Sequence, residues 1–380
     1  MSLHQTFQSW LASTPRLLLD FRPLTSHFTK RIIPSTCIPL SEISCLWFEL
    51  PTKQVPFAVL EPHTNVGCSK KYLITRGWKV NWIFEDTDEL WEIARESNCV
   101  EEGDGSSNKR QQWVLFQPNP FLMSNVESVE QSLLKLGDHT GSFTLECLDI
   151  GCGSGRDTVW LCAIRNEVDW RVTAVDAWPG ALERTRALAK GLGVEKRVET
   201  VNAKVMADGD IRGISEGDNA DYGDKSGLNV KEVGIGRCID LSNNDASVVR
   251  THDSTPAIIA NDILPNRPQF SSTPTSLPFL DRTYDLVLMI RFLSRELFPT
   301  IRRLVRPGGY VLISTFVNSP SHPLYSNPKS NKHRLELNEL RGIFEKWDDF
   351  DIVKDVIEVI EDGRPVNSFL ARKVVGHSMS

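Results

Sequence analysis

Short apolar runs alternate with helix-compatible stretches twice along this chain, once before residue 100 and again from residue 145 onward. In the first array, residues 17–21 (LLLDF), 56–60 (PFAVL) and 78–83 (WKVNWI) have the short, β-branched or aromatic make-up of strands. Residues 68–76 between the last two suit a helix, closed by Gly77, a residue fitted to a helix C-terminus. Strands that alternate with helices predict a small parallel α/β sheet. Residues 101–110 (EEGDGSSNKR) are polar and pattern-free, as a linker would be.

The second array is longer. Strands are predicted at 145–150 (LECLDI), 171–176 (RVTAVD), 197–201 (RVETV), 284–290 (YDLVLMI) and 309–316 (GYVLISTF). The last is a near-continuous apolar run of the kind that is buried on both faces. Helices are expected at 156–165, at 181–190 and through Arg303. Two more strand-like runs, 351–360 and 365–375, flank Glu361-Asp362-Gly363-Arg364, a hairpin turn signal. Residues 208–278 interrupt this order with a Gly-, Asp-, Asn-, Ser-, Thr- and Pro-rich composition that predicts a disordered insertion; a lid over the substrate is the alternative.

Composition narrows the function. The 380 residues are 40% hydrophobic with a net charge of -6, a poor footprint for sequence-independent nucleic-acid binding. No run reaches ~18 consecutive apolar residues, so no membrane span is expected, and the N-terminus lacks a signal-peptide pattern. Eight cysteines without a CxxC pair suggest reduced thiols, no zinc or other metal site, and a cytoplasmic protein, the nucleus being the other compartment.

The candidate chemistry lies at Asp149-Ile150-Gly151-Cys152-Gly153-Ser154-Gly155-Arg156, a glycine turn between a strand and a helix. Asp176 ends the next strand, where a carboxylate can take both hydroxyls of a ribose. The spacing is GxGxG rather than GxGxxG, and Asp149 would repel a pyrophosphate but suit a cationic amino-acid group. With LDIGCGSGRD, VTAVDAW, YDLVLMIRFL and LVRPGGYVLISTF in this order, the chain resembles class I S-adenosylmethionine-dependent methyltransferases from residue 121 to 375, the insertion apart. The resemblance implies a Rossmann-like seven-strand sheet ending in an antiparallel hairpin, with S-adenosyl-L-methionine as cofactor. It implies that Gly151, Gly153 and Gly155 face the methionine and ribose part, with Cys152 in the same cofactor-binding turn, and that Asp149 contacts the amino group, directly or through water. Asp176 would then bind the ribose hydroxyls, with Ala177 and Trp178 beside the adenine. Asn202-Ala203-Lys204 stands where an acid often meets the adenine amine, and Asp208 is the nearest substitute.

Residues 291–298 (RFLSRELF) resemble the tellurite-resistance and thiopurine-type small-molecule branch, and no Asn/Asp-Pro-Pro-aromatic motif follows the fourth strand. Arg291 and Arg295, spaced i,i+4 at an expected helix start, are candidates to meet an anionic acceptor or to be ion-paired on a solvated face. His322 and His333, in the loop after the fifth strand, are candidate bases. Residues 9–93 are similar to rhodanese (sulfurtransferase) domains through LLLDFRP, IPSTCIPL and LITRGWKVNWI. Leu60-Glu61-Pro62-His63-Thr64 occupies the place of the active cysteine, with Cys68 further on, which implies an inactive module. The expected organisation is therefore 1–100 rhodanese-like, 101–120 linker with Trp113 and Phe116 filling a seam, and 121–380 methyltransferase. The leading function is methyl transfer to a small molecule. Alternatives are a protein or RNA methyltransferase whose first module recruits a partner, a non-catalytic interaction protein, and a sulfurtransferase fusion that uses Cys68.

Overall fold

Strand and helix formation in the first hundred residues follows the apolar runs closely. In the computed structural model, which describes residues 1–63, 67–103, 113–136, 144–165, 168–214, 277–322, 325 and 327–375, they contain α1 (Leu3–Leu11), β1 (Leu18–Asp20), α2 (Leu24–Thr29), β2 (Lys30–Ile32), β3 (Thr36–Cys37), α3 (Ile43–Leu46), β4 (Phe57–Glu61), α4 (Cys68–Ile74), β5 (Val80–Glu85) and α5 (Asp88–Glu96). The sheet has the order β3-β1-β4-β5, and every pairing is parallel. Helix α1 starts with a capping box in which Ser2 and Gln5 exchange side-chain-to-backbone bonds. Gly77 ends the α4 region at φ +90°, where a side chain would be strained. Phe7, Trp10, Leu18, Leu60 and Phe84 fill one face of the sheet; Leu19, Ile38, Phe57, Val59 and Leu73 fill the other.

Glu101 and Glu102, expected to open the linker, instead belong to β6 (Val100–Glu102), which pairs antiparallel with β2. Farther along, Asn119 caps α6 (Pro120–Leu134) by accepting from the Phe121 and Leu122 amides. Phe116 is buried as expected and lies in the core of the following sheet together with Phe48. Trp113 is 47% exposed, and Leu115 fills the seam on the other side instead.

The larger sheet is built from β7 (Thr144–Ile150), α7 (Arg156–Ile164), β8 (Asp169–Asp176), α8 (Pro179–Gly191), β9 (Val198–Val205), β10 (Ile211–Gly213), β11 (Tyr284–Ile290), α9 (Phe298–Leu304), β12 (Val305–Phe316), α10 (Glu339–Phe344), β13 (Phe350–Val359) and β14 (Pro365–Lys373). Its order is β10-β9-β8-β7-β11-β12-β14-β13. Strands β9, β8, β7, β11 and β12 are parallel, and β14 runs antiparallel between β12 and β13. The chain order reverses at β7–β11, which is where such sheets open a crevice beyond the strand ends.

Eight strands replace the seven expected, because β10 adds an antiparallel edge to β9. Residues 208–214 of the expected insertion thus continue the sheet, while the rest of that expectation, 215–276, lies outside the described residues. The tight turn that allows β10 to fold back has Gly209 at φ +82° and the Asp208–Arg212 ion pair. Among the described residues no helix is long and apolar enough to cross a membrane.

Candidate functional site

The glycine turn leaves β7 and enters α7 with Gly151, Gly153 and Gly155 all at positive φ, at +75°, +56° and +74°. A Cβ at Gly151 would stand 2.7 Å from the Phe292 ring, and one at Gly155 would stand 2.5 Å from Thr185. Both glycines therefore exist for close packing. Gly153 is different: nothing lies within 4 Å of its Cβ position, so the backbone there faces open space.

Two acids stand behind this turn. The Asp176 carboxylate accepts from the Gly153 amide (2.9 Å) and the Trp178 amide (2.8 Å), one bond to each oxygen. Each oxygen keeps a lone pair for a hydroxyl donor. Asn202, on the neighbouring strand, braces the same corner by donating to the Asp176 and Ala177 carbonyls. Asp208, the expected substitute at the adenine side, is instead tied to Arg212 in the β9–β10 turn.

Asp149 is buried and accepts from Thr158 Oγ1 at 2.5 Å. Burial, then the nearby Asp157 charge, pushes its carboxyl up to about 7, against the Thr158 bond. Asp157 is also raised by burial, opposed by the Asn119 amide that donates to it at 2.6 Å. Asp149 is buried and Asp157 partly so; the Arg291 and Arg156 charges act on Asp157 but are not among the groups that shift Asp149, so a bound ammonium would be drawn to the Asp149 side. Burial also raises the Cys152 thiol well above its ordinary range.

A cleft of about 560 Å³ opens over the turn. Gly151–Ser154, Arg156, Asp157, Ile290, Arg291 and Glu361 form its floor and one side, while Trp47, Pro51, Thr52 and Val55 from the first array form the other. The segment 117–120 joins the two sides. Arg156 fixes this arrangement: its Nε donates to the Phe48 carbonyl (2.8 Å) and its Nη2 to the Leu50 carbonyl (3.0 Å). Arg184 stacks between Trp178 (4.5 Å) and Trp47 (5.4 Å), a second bridge across the seam. The N-terminal wall carried no motif that marked it for this place; only Trp47, a tryptophan left 44% exposed in the fold, signals it, and that signal is structural.

The candidate acceptor residues separate. Arg291 directly follows β11 at φ +55° and is not helical; Arg295 starts a short 3₁₀ turn, so the expected common helix face does not form. Arg295 is held by four bonds, two to Glu339 and one each to the Lys332 and Arg334 carbonyls. Arg291 lines the cleft and makes a single 3.3 Å contact, to Glu361. His322 bonds Ser319 and His333 is exposed in another 3₁₀ turn; neither lines the cleft. Among the described residues no cluster of His, Cys, Asp and Glu is placed to hold a metal ion.

Residues 147–212, which hold the glycine turn, Asp149 and Asp176, match the family described as a methyltransferase domain. With open backbone at Gly153, an Asp176 carboxylate that keeps lone pairs free and the buried Asp149 beneath, the site fits S-adenosylmethionine, and the protein is an S-adenosylmethionine-dependent methyltransferase. The chain belongs to the family of Uncharacterized protein UNK4.09 of Schizosaccharomyces pombe, with which it is 31% identical over 364 residues, 94% of this chain and 93% of that one. Among solved structures it is similar to 1,6-didemethyltoxoflavin-N1-methyltransferase of Burkholderia thailandensis, at 18% identity and TM-score 0.33 over 67% of this chain and 81% of that one. It is also similar to an S-adenosylmethionine-dependent methyltransferase of Geobacter sulfurreducens, at 12% identity and TM-score 0.35 over 67% and 92%.

Proposed function

We propose that the protein methylates a small molecule held in the cleft between the glycine turn and the Trp47–Val55 wall, and that its first hundred residues are a rhodanese-like module without sulfur-transfer activity. The cleft itself carries this reading, because it has the cofactor turn on one side and an enclosing wall on the other. Its apolar side of Trp47, Pro51, Val55, Pro118, Pro120 and Ile290 and its charged Arg156, Asp157, Arg291 and Glu361 suit a compact acceptor with an apolar body and a polar group. The resemblance of residues 291–298 to the small-molecule branch points the same way.

When bound, S-adenosylmethionine supplies an electrophilic methyl carbon on a cationic sulfur. The chain's task is alignment, which can contribute roughly 7 to 11 kcal/mol at best. Asp176 would hold the ribose, Asp149 the ammonium side, and Arg156 would keep the wall at a fixed distance from the turn. No histidine lines the cleft among the described residues; Asp157 and Glu361 are its carboxylates, and an acceptor that must lose a proton would give it to one of them.

For the first module, the Glu61 carboxylate accepts from the Gly67 amide, the Ser69 hydroxyl and the Lys70 amide (3.1 Å). Donors near the start of α4 that would have to face a persulfide are thus taken by an internal anion. The Cys68 side chain lies outside the described residues. Calorimetric titration of S-adenosylhomocysteine into the full chain and into Asp176→Ala tests the cofactor site. A screen of small acceptors by mass spectrometry then tests transfer. Tight binding with methylation only of protein or RNA substrates would overturn the small-molecule reading.

A further inference from the structure

We infer that Arg291 selects an acceptor with an acidic handle, a carboxylate or phosphate borne on a flat apolar body and separate from the atom that is methylated. The inference rests on the cleft reading above and deepens it. Apart from Arg184, which stacks on Trp47 and Trp178, three arginines near the site differ in their bonding. Arg156 gives its Nε and Nη2 to backbone carbonyls of the opposite wall. Arg295 is held by Glu339 and two carbonyls, outside the cleft. Arg291 lines the cleft with one 3.3 Å contact to Glu361, and a guanidinium carries five donors in a planar fork. Its remaining donors have no partner among the described residues.

Its placement is specific. Arg291 directly follows β11 and precedes Phe292, whose ring packs on Gly151, so the guanidinium is anchored next to the cofactor turn. At φ +55°, its backbone N–H donates a hydrogen bond to the Ser314 carbonyl (2.8 Å). That conformation is costly for a residue with a side chain, and the fold maintains it at the mouth of the cleft. The charged groups that face Arg291 there are Glu361, Asp157 and Arg156. Asp157 is engaged by the Asn119 amide, so Glu361 is the group an acidic ligand must displace. The Arg291–Glu361 pair is exposed, 45% and 29% at the side chains, and such pairs are weak enough to exchange.

The acid serves as a handle rather than as the attacking group. A carboxylate paired to a guanidinium is stabilised more before transfer than in the transition state, where its charge is being lost, and pairing would slow attack. The opposite wall of Trp47, Pro51 and Val55 supplies the flat apolar surface for the rest of the molecule.

The test uses the full chain saturated with S-adenosylhomocysteine, and saturation-transfer NMR with 1-naphthoate, 1-naphthyl phosphate and the neutral 1-naphthamide as probes. Wild type is expected to bind one or both anions and to bind the amide at least about tenfold more weakly, the loss of one charge-assisted contact. Which anion binds separates a carboxylate handle from a phosphate one. Arg291→Gln should abolish the preference, Arg291→Lys should keep part of it, and Glu361→Gln should strengthen anion binding. S-adenosylhomocysteine affinity, measured in the same samples, should stay within about twofold in all three variants. Equal binding of amide and anions, or an anion preference that survives in Arg291→Gln, overturns the inference while leaving the cofactor reading intact. Failure of wild type to bind S-adenosylhomocysteine overturns both.

Discussion

Both large sheets of this molecule place acids at the carboxyl ends of their parallel strands, and they use them in opposite ways. In the first sheet Asp20 ends β1 and is enclosed: Arg22 forms a fork on it, His27 Nδ1 sits 3.0 Å away, and the Arg22 amide donates as well. Burial raises the Asp20 carboxyl, yet the His27 and Arg22 hydrogen bonds outweigh it and hold the group below its ordinary range. Glu61, at the end of β4, is likewise satisfied by three donors of its own chain. In the second sheet Asp176 receives two backbone amides among the described residues, and Asp149 accepts from Thr158 alone, with Asp157 rather than a cation as its nearest charge. A strand-end acid is therefore not itself a sign of a site. What distinguishes the two sheets is whether the acid's bonding is completed internally, and that decides which sheet can still take a ligand.

The contrast can be broken most sharply at Asp20. Asp20→Ala leaves Arg22 and His27 buried without their partner, and unfolding in urea should show a loss of about 3 to 5 kcal/mol. A loss below about 1 kcal/mol would show that the network is not structural. Asp176→Ala should do the reverse. Its urea midpoint should stay near wild type while calorimetry shows S-adenosylhomocysteine bound about thirtyfold more weakly, the equivalent of about 2 kcal/mol. Equal stability losses in the two variants would erase the distinction.

The unpaired acids also predict a pH dependence. Because the Asp149 carboxyl sits at about 7 in the folded protein against 3.8 ordinarily, the native state holds its proton where the unfolded chain has lost it. Stability contributed by this group is full below about pH 4 and is lost as pH rises to about 7, at about 1.4 kcal/mol per pH unit at most. Urea unfolding of wild type against Asp149→Asn across that range should show the slope reduced in the variant; identical slopes would remove Asp149 as its source. The smallest effect is expected at Gly153→Ala. The positive φ costs about 1 kcal/mol in thermal or chemical unfolding, and the new methyl projects into the open cradle. Ligand affinity should fall by more than stability does, unlike Gly151→Ala, where the methyl meets Phe292 and folding suffers first.

Much of this arrangement was legible from local patterns. The apolar run 284–290 is β11 to the residue, and 309–316 lies within β12, because a strand buried on both faces must be apolar throughout. The GxGxG spacing marked the turn because only glycine tolerates three positive φ values in five residues. Other elements were missed although signals existed: the Ser2/Gln5 capping box opens α1, and Asn119-Pro120 starts α6 with a cap and an N1 proline. Strand β10 had no such mark, since it is three residues long and is defined only by its pairing with β9. Arg291 and Arg295 were equivalent as a spacing, yet one lines the cleft and the other is locked to Glu339.

The amino-acid sequence alone determined the long apolar strands, the glycine turn and the acids that flank it, because each depends on backbone preference or on an apolar period contained within a few residues. Tertiary structure alone decided which acids remain open, that residues 47–55 wall the cleft, and that Arg291 rather than Arg295 faces it. Those outcomes depend on partners tens to hundreds of residues away, such as Arg156 with Phe48 and Leu50 or Arg291 with Glu361, and no local pattern encodes a contact at that separation.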